Sequence, residues 1–281
     1  MLVSCLNLRT AAAGATLALL LAAPDFARAQ GKFEASYGIS VARIPIGSAT
    51  ATAEFGDAHY VITMSGRASG MLRVLASGDG SLRTRGALTD GRPAPTEFTA
   101  RTTTDDDTLD VKLVIDGGNV TALSASEPKP DPDRVELTEA HRRGIVDPLT
   151  ALLVPLAGDG APNEAACRRT IAVFDGRRRF DLKLAFKRMD TVKAERGYAG
   201  PAVVCTVTFQ PVAGHRSSST MVKFLTQGRD IEMALAPVAG TRLLAPFRIT
   251  IVHMLGNLVV QANRFEAMHT APTTGRGAPS R

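Results

Sequence analysis

Two cysteines, a cluster of arginines, a histidine just ahead of three serines and a triple aspartate are the residues of this chain whose types could do chemistry. Cys167 and Cys205 could form a disulfide, and Arg177-Arg178-Arg179, with Arg168 and Arg169 close in sequence, could hold an anion. His215 precedes Ser217, Ser218 and Ser219, which looks like a base beside a nucleophile. Such groups are assembled by geometry rather than by sequence neighbourhood, and successive residues of an extended chain point to opposite sides. The stretch therefore reads as a polar loop. Asp105, Asp106 and Asp107 could bind calcium, but the spacing of a calcium-binding loop is missing around them, and a solvated hairpin tip is the simpler reading. There is no G-x-S-x-G elbow, no H-E-x-x-H pair and no phosphate-cradling glycine loop. The sequence thus predicts no catalytic residue, no metal site and no cofactor.

Compartment decides how the cysteines read. Arg9 supplies a positive start, Ala11 to Ala23 is an uncharged run rich in Ala and Leu, and Ala27-Arg28-Ala29 has the small-x-small pattern of signal-peptidase cleavage. The apolar run is shorter than the roughly 20 residues a membrane helix needs. Residues 1–29 are therefore expected to be a signal peptide cleaved near Ala29, which sends the chain to the periplasm. Cleavage removes Cys5, leaving an even pair in an oxidising compartment; two buried free thiols are the alternative. Without Arg9, Arg28 and Asp25 the formal charge falls from +6 to +5. That charge is too dispersed to demand nucleic acid, though it allows peripheral contact with an anionic membrane surface.

The elements that must position these groups are strands. Phe33, Ala35, Tyr37, Ile39 and Val41 fall on one face, with Glu34, Ser36, Gly38 and Ser40 on the other. Leu109, Val111, Leu113 and Ile115 alternate in the same way, as do Phe180, Leu182, Leu184 and Phe186. Ala49–Phe55, His59–Ser65 and Ala202–Phe209 are further candidates. Asp175-Gly176 signals a type I′ hairpin, and Gly117-Gly118 and Gly256-Asn257 mark two more turns. The hairpin at Asp175 would set Phe174 opposite Arg177 and crowd Arg168 to Arg179 at one ribbon end. Such a cluster is either a contact for an anionic partner or a solvated end.

A dozen short strands would curl or close, so the expected fold is mainly β: a single curved antiparallel sheet with a few short helices. Helical candidates are Gly70–Ala76, Glu136–Arg143 and a short segment after Asp147 and Pro148. In the last of these Leu149, Leu152, Leu153 and Leu156 form one face, a candidate lid. Glu127 to Asp133 is a proline-rich loop, residues 30–267 read as one β-rich domain, and 268–281 as a disordered tail. If the strands around the cysteines formed a simple meander, Cys167 and Cys205 would lie about 9.5 Å apart, beyond disulfide reach. A bridge then requires Cys167 to lie before its strand, or the third strand to return beside the first.

The leader, Phe33-x-Ala35-x-Tyr37-x-Ile39 and Ile145-Val-Asp147-Pro148-Leu-Thr-Ala-Leu resemble a bacterial exported family, domain of unknown function 3108. Cys167-Arg-Arg-Thr-x-x-Val-Phe174-Asp175-Gly176-x-Arg178-Arg179-Phe180-x-Leu182, Tyr198-x-Gly200-x-Ala-x-x-Cys205 and Pro211-Val-Ala-Gly214-His215-Arg216 extend the likeness over nearly the whole mature chain. The chain is also similar to envelope integrity protein B and to the lipoprotein-carrier fold. That resemblance implies an open barrel or β-spiral with a helical lid over an apolar cavity, and a role in envelope maintenance. It transfers no catalytic residue. The expected function is a non-enzymatic periplasmic protein binding a lipid, acyl chain or lipoprotein partner. The alternative is an envelope-integrity scaffold with a filled core that acts through protein partners. An aliphatic interior without Trp suits either a cavity for acyl chains or an ordinary packed core.

Overall fold

The computed structural model describes residues 31–69, 78–104, 108–126, 131–156, 160–226, 230–252 and 256–269. The proposed leader, the helix candidate Gly70–Ala76, Asp105–Asp107 and the tail beyond His269 lie outside them. Seven strands form a first meander: β1 (Gly31–Val41), β2 (Ile44–Phe55), β3 (His59–Ala68), β4 (Gly78–Thr89), β5 (Arg92–Thr104), β6 (Thr108–Asp116) and β7 (Asn119–Ala125). The alternation read in β1 is realised: Phe33, Ala35 and Tyr37 are buried and their polar neighbours are not. In β6, Val111, Leu113 and Ile115 are buried against the same core. Gly117 and Gly118, both left-handed, make the two-residue turn into β7.

The second half contains β8 (Val154–Pro155), β9 (Arg169–Phe174), β10 (Arg179–Lys193), β11 (Arg196–Gly197), β12 (Ala199–Ala213), α1 (Thr220–Thr226), β13 (Ile231–Pro237), β14 (Leu243–Ile251) and β15 (Leu258–His269). One sheet runs β7-β6-β5-β4-β3-β2-β1-β15-β14-β13-β12-β10-β9, with β11 beside β15 and β8 beside β14. Each pairing is antiparallel except β11 with β15. The first and last strands, β1 and β15, therefore meet at the middle, and the two meanders grow outward from that seam.

The sheet curls without closing into a barrel. A strap at residues 145–146 spans the gap: Ile145 N–H donates to Gly118 O (2.8 Å), Val146 N–H to Ala172 O (2.9 Å), and Phe174 N–H to Val146 O (3.0 Å). Most of the interior is packed. Phe33, Tyr60, Phe98, Leu113, Phe174, Phe247 and Phe265 belong to one core that unites both meanders, and Phe33 meets Phe265 edge to face at 4.7 Å. A second cluster lies on the outer face of β12–β14, under the segment from Val154 to Cys167. Strands there are buried on both faces, so Ala202–Cys205 and Leu243–Phe247 are continuous apolar runs rather than alternating ones.

The disulfide Cys167–Cys205 is present, with the two Cα atoms 5.4 Å apart. Cys167 ends a 3-10 turn, Glu164–Cys167, just before β9, while Cys205 lies on β12. This is the first of the two arrangements that strand spacing requires. The bridge pins the outer covering segment to the sheet.

The β9–β10 hairpin departs from the type I′ expectation. Phe174 opposes Arg179, not Arg177, and the connection is the four residues Asp175 to Arg178. Asp175 accounts for the longer loop, because its Oδ1 accepts from the N–H groups of Arg177 (2.9 Å) and Arg178 (2.7 Å). Gly214, at φ +77°, passes so close that an added Cβ would lie 1.9 Å from the Arg177 carbonyl oxygen. Gly214→Ala combines that clash with left-handed backbone strain. It should lose about 1–3 kcal/mol in urea unfolding, while a Gly144→Ala control, with open space at its Cβ, should lose less.

Candidate functional site

The one-sided burial of β4–β6 and of β10 and β12 leaves an apolar cavity of about 380 Å³ at one end of the curled sheet. Leu82, Phe98, Ala100, Leu109 and Val111 line one wall. Phe180 and Phe209, rings 5.2 Å apart, line the other. Met221, Val222 and Leu225 of α1 lie along its mouth. None of the seven residues of α1 is buried, and Met221 is 62% exposed. A helix this short with no buried face is held weakly, as a movable cover would be.

Polar groups gather at one side of this opening. Arg177, Arg178, Arg179 and His215 all line it. Arg178 is paired with Asp175 (2.9 Å), Arg179 with Asp181, and Arg177 donates through Nη2 to Ser126 O. The Arg177 Nε and the His215 Nδ1 are buried and have no hydrogen-bond partner among the described residues. Burying polar nitrogens unpaired is costly; a ligand acceptor would satisfy the Arg177 Nε, and the His215 Nδ1 would take an acceptor or a donor according to its tautomer. A cavity of this volume falls within the range of about 300–1,000 Å³ typical of small-molecule sites.

The five arginines singled out by sequence do not form one cluster. Arg169 opposes Leu184 at the open end of the hairpin, so Arg168 and Arg169 lie the length of β9, roughly 17 Å, from Arg179. Arg168 pairs with Glu164, and Arg169 donates to Pro155 O at 3.3 Å. Nor do the leucines stand over the cavity. Leu149 and Leu153 are buried in the main core, Leu156 in the outer cluster, and the expected two-turn helix is a 3-10 turn, Thr150–Leu152, followed by β8. Pro155 and the cap at Asp147 leave too few residues for a longer helix. The cover is α1 instead. Its seven residues carry apolar Met221, Val222, Phe224 and Leu225, a run too short for a helical period to be read from it alone.

Asp147 was legible as a cap but not as a buried centre. It is fully buried; its Oδ1 accepts from the N–H groups of Leu149 (2.9 Å) and Thr150 (3.0 Å). Its Oδ2 accepts from the hydroxyls of Thr84 (2.9 Å) and Thr150 (2.5 Å), and Thr150 in turn shares a hydrogen bond with Tyr60 (2.7 Å). Burial pushes the Asp147 carboxyl above the ordinary carboxylate range, against the lowering effect of Thr150, Thr84 and Leu149. All four donors are internal, so the network locks the strap rather than facing a substrate.

The chain matches a family model over residues 32–262, and the family is described as "Protein of unknown function (DUF3108)". The chain belongs to DUF3108. No curated protein matches this DUF3108 chain. Among solved structures it is similar to the crystal structure of a beta-barrel-like protein of domain of unknown function DUF1849 from Brucella abortus. That match has 12% identity and a TM-score of 0.47, and covers 86% of the DUF3108 chain and all of the other. It is also similar to the hypothetical protein CT021 from Chlamydia trachomatis. There the identity is 10% and the TM-score 0.26, over 90% of the DUF3108 chain and 94% of the other. Among the described residues of the DUF3108 chain, no helix is long and apolar enough to cross a membrane.

Proposed function

We propose that this protein is an exported, non-enzymatic envelope protein that binds an amphiphile, either a lipid or the acyl chain of a lipid-modified partner. The acyl portion occupies the cavity beneath α1, and its polar head meets Arg177 and His215. The reading rests on an aliphatic and aromatic cavity that carries two buried, unpartnered nitrogens on its lining side chains. Apolar walls supply affinity without direction, and the few polar groups fix which end of the ligand faces out.

Native mass spectrometry and lipid extraction of the protein purified from its own envelope test this. Acyl species should accompany the wild type and be absent from Ala100→Phe, which fills the cavity without touching the polar rim. Arg177→Gln should weaken binding of a fluorescent fatty acid about tenfold, the usual value of a charge-assisted hydrogen bond. Reproducible absence of acyl species from the wild type, together with no fatty-acid binding, would favour the scaffold alternative. That alternative draws on the exposed Phe186 (41%) and Met189 (46%) of β10, which would then be the contact surface for an envelope protein.

A further inference from the structure

The side chains at the mouth of the cavity beside α1 bear on the head group and chain number of its occupant, a step that rests on the amphiphile reading above. Asp175, Arg177, Arg178 and Arg179 are the charged residues on its lining. Arg178 is paired with Asp175 at 2.9 Å, and Arg179 with Asp181. Arg177 differs from both. Among the described residues it has no carboxylate within ion-pairing distance, and its Nη2 donates to the neutral carbonyl of Ser126. We infer that the cavity takes a single-chain amphiphile with a monoanionic head, either the carboxylate of a fatty acid or the phosphodiester of a lysophospholipid, and not the acyl chains of a lipid-modified protein.

Head and chain are selected by different parts of the cavity. The buried Arg177 Nε is a desolvated donor on a permanent cation, and an anionic oxygen satisfies its hydrogen bond and its charge together. The His215 Nδ1 on the same lining donates to the head as well in the tautomer that carries a proton there. A lipid-modified cysteine joins its chains through glyceryl esters and an amide, none of which ionises, so it would leave Arg177 a partly buried cation without a counter-charge. Size argues the same way. A methylene takes up about the room of a water molecule in the liquid, roughly 30 Å³. The 380 Å³ between the two walls therefore holds on the order of a dozen carbons, one chain rather than two or three. The donor is also placed in advance. Asp175 Oδ1 accepts from the Arg177 N–H at 2.9 Å, Gly214 packs against the Arg177 carbonyl, and the Ser126 carbonyl holds one end of the guanidinium. Facing it, α1 buries none of its residues. The head is thus positioned by the rigid hairpin, while the loose helix covers the chain.

The test titrates the purified, delipidated full-length protein by calorimetry with dodecanoate, with dodecanol as its neutral counterpart, with monoacyl lysophosphatidylglycerol and with a synthetic triacylated lipopeptide. The buffer holds about 0.15 M sodium chloride, where non-specific charge effects are screened. Wild type should bind dodecanoate or lysophosphatidylglycerol about tenfold or more tightly than dodecanol, and the tighter of the two names the head. Arg177→Gln should erase that preference, losing about tenfold on the anion and far less on the alcohol, so that the alcohol reports an intact cavity. Ala100→Phe should abolish both, which assigns the binding to this cavity. Equal affinity for acid and alcohol, equal losses on both in Arg177→Gln, or a lipopeptide that binds most tightly and ignores Arg177→Gln would each overturn the inference while leaving the cavity an acyl site. Binding of none of the four ligands would remove the acyl reading itself.

Discussion

Reducing the Cys167–Cys205 bridge should lower the unfolding free energy by about 4 kcal/mol, the chain-entropy cost of freeing a loop of this length. The bond closes a separation of 38 residues. Its location adds a second contribution. Both sulfurs sit in the outer cluster with Val154, Leu156, Ala166, Val203, Leu235 and Leu244, so the bridge holds a cover over apolar strands. A freed cover exposes that face part of the time, and the reduced protein should bind a hydrophobic dye before it unfolds globally. Urea unfolding with and without reductant measures the first effect, and the Cys167→Ala, Cys205→Ala double variant checks it without reductant. A change below about 1 kcal/mol would mean that burial alone retains the segment and that the bond is thermodynamically idle.

Period-two patterning made most of the strands legible, since β1 and β6 each bury one face of a half-solvated sheet. It served less well where a strand is covered on both sides or reaches past the core. Phe180, Leu182, Leu184 and Phe186 read as one inward row, yet Leu184 packs with the disulfide, Phe180 lines the cavity beside α1, and Phe186 reaches solvent. A register shift between Phe186 and Arg188 and the twist of a fifteen-residue strand redirect the row along its length. No local pattern carries that information. The arginine cluster shows the same limit. Its members are close in sequence, but turn length decides which of them meet, and Asp175 lengthens the turn by capping it with a side chain. The groove that Arg92, Arg169 and Arg242 line was invisible for a related reason, because the three come together only through the curl. Cysteine spacing was more informative, since strand geometry left two arrangements compatible with a bridge, and the structure takes the one with Cys167 ahead of its strand.

Replacing Asp147 with alanine should cost about 3 kcal/mol or more, because Leu149 and Thr150 would keep buried N–H groups with no acceptor. The hydroxyls would suffer less, since Thr84 also reaches the Glu97 carbonyl at 3.1 Å and Thr150 retains Tyr60. The four donors come from Thr84, Leu149 and Thr150, so the carboxyl fastens the strap to β4 directly and, through the Thr150–Tyr60 bond, to β3. Denaturant unfolding of Asp147→Ala gives the size of the effect, and Asp147→Asn isolates the proton. Burial raises the folded-state pKa of this carboxyl above its ordinary value of 3.8. The folded protein therefore holds the proton more tightly than the unfolded chain. Its contribution to stability is full below about 4, declines as pH rises between the unfolded and folded values, and is then lost. Asparagine cannot titrate, so the wild-type advantage over Asp147→Asn should shrink across that interval and level off above it. Half-buried Asp133 and Glu232, whose pKa values are lowered by Ser218 and Lys187 respectively, act in the opposite direction but are common to both proteins and cancel in the difference. A wild-type advantage that grew with pH would show that the four hydrogen bonds outweigh burial and that the strap is locked by a carboxylate anion.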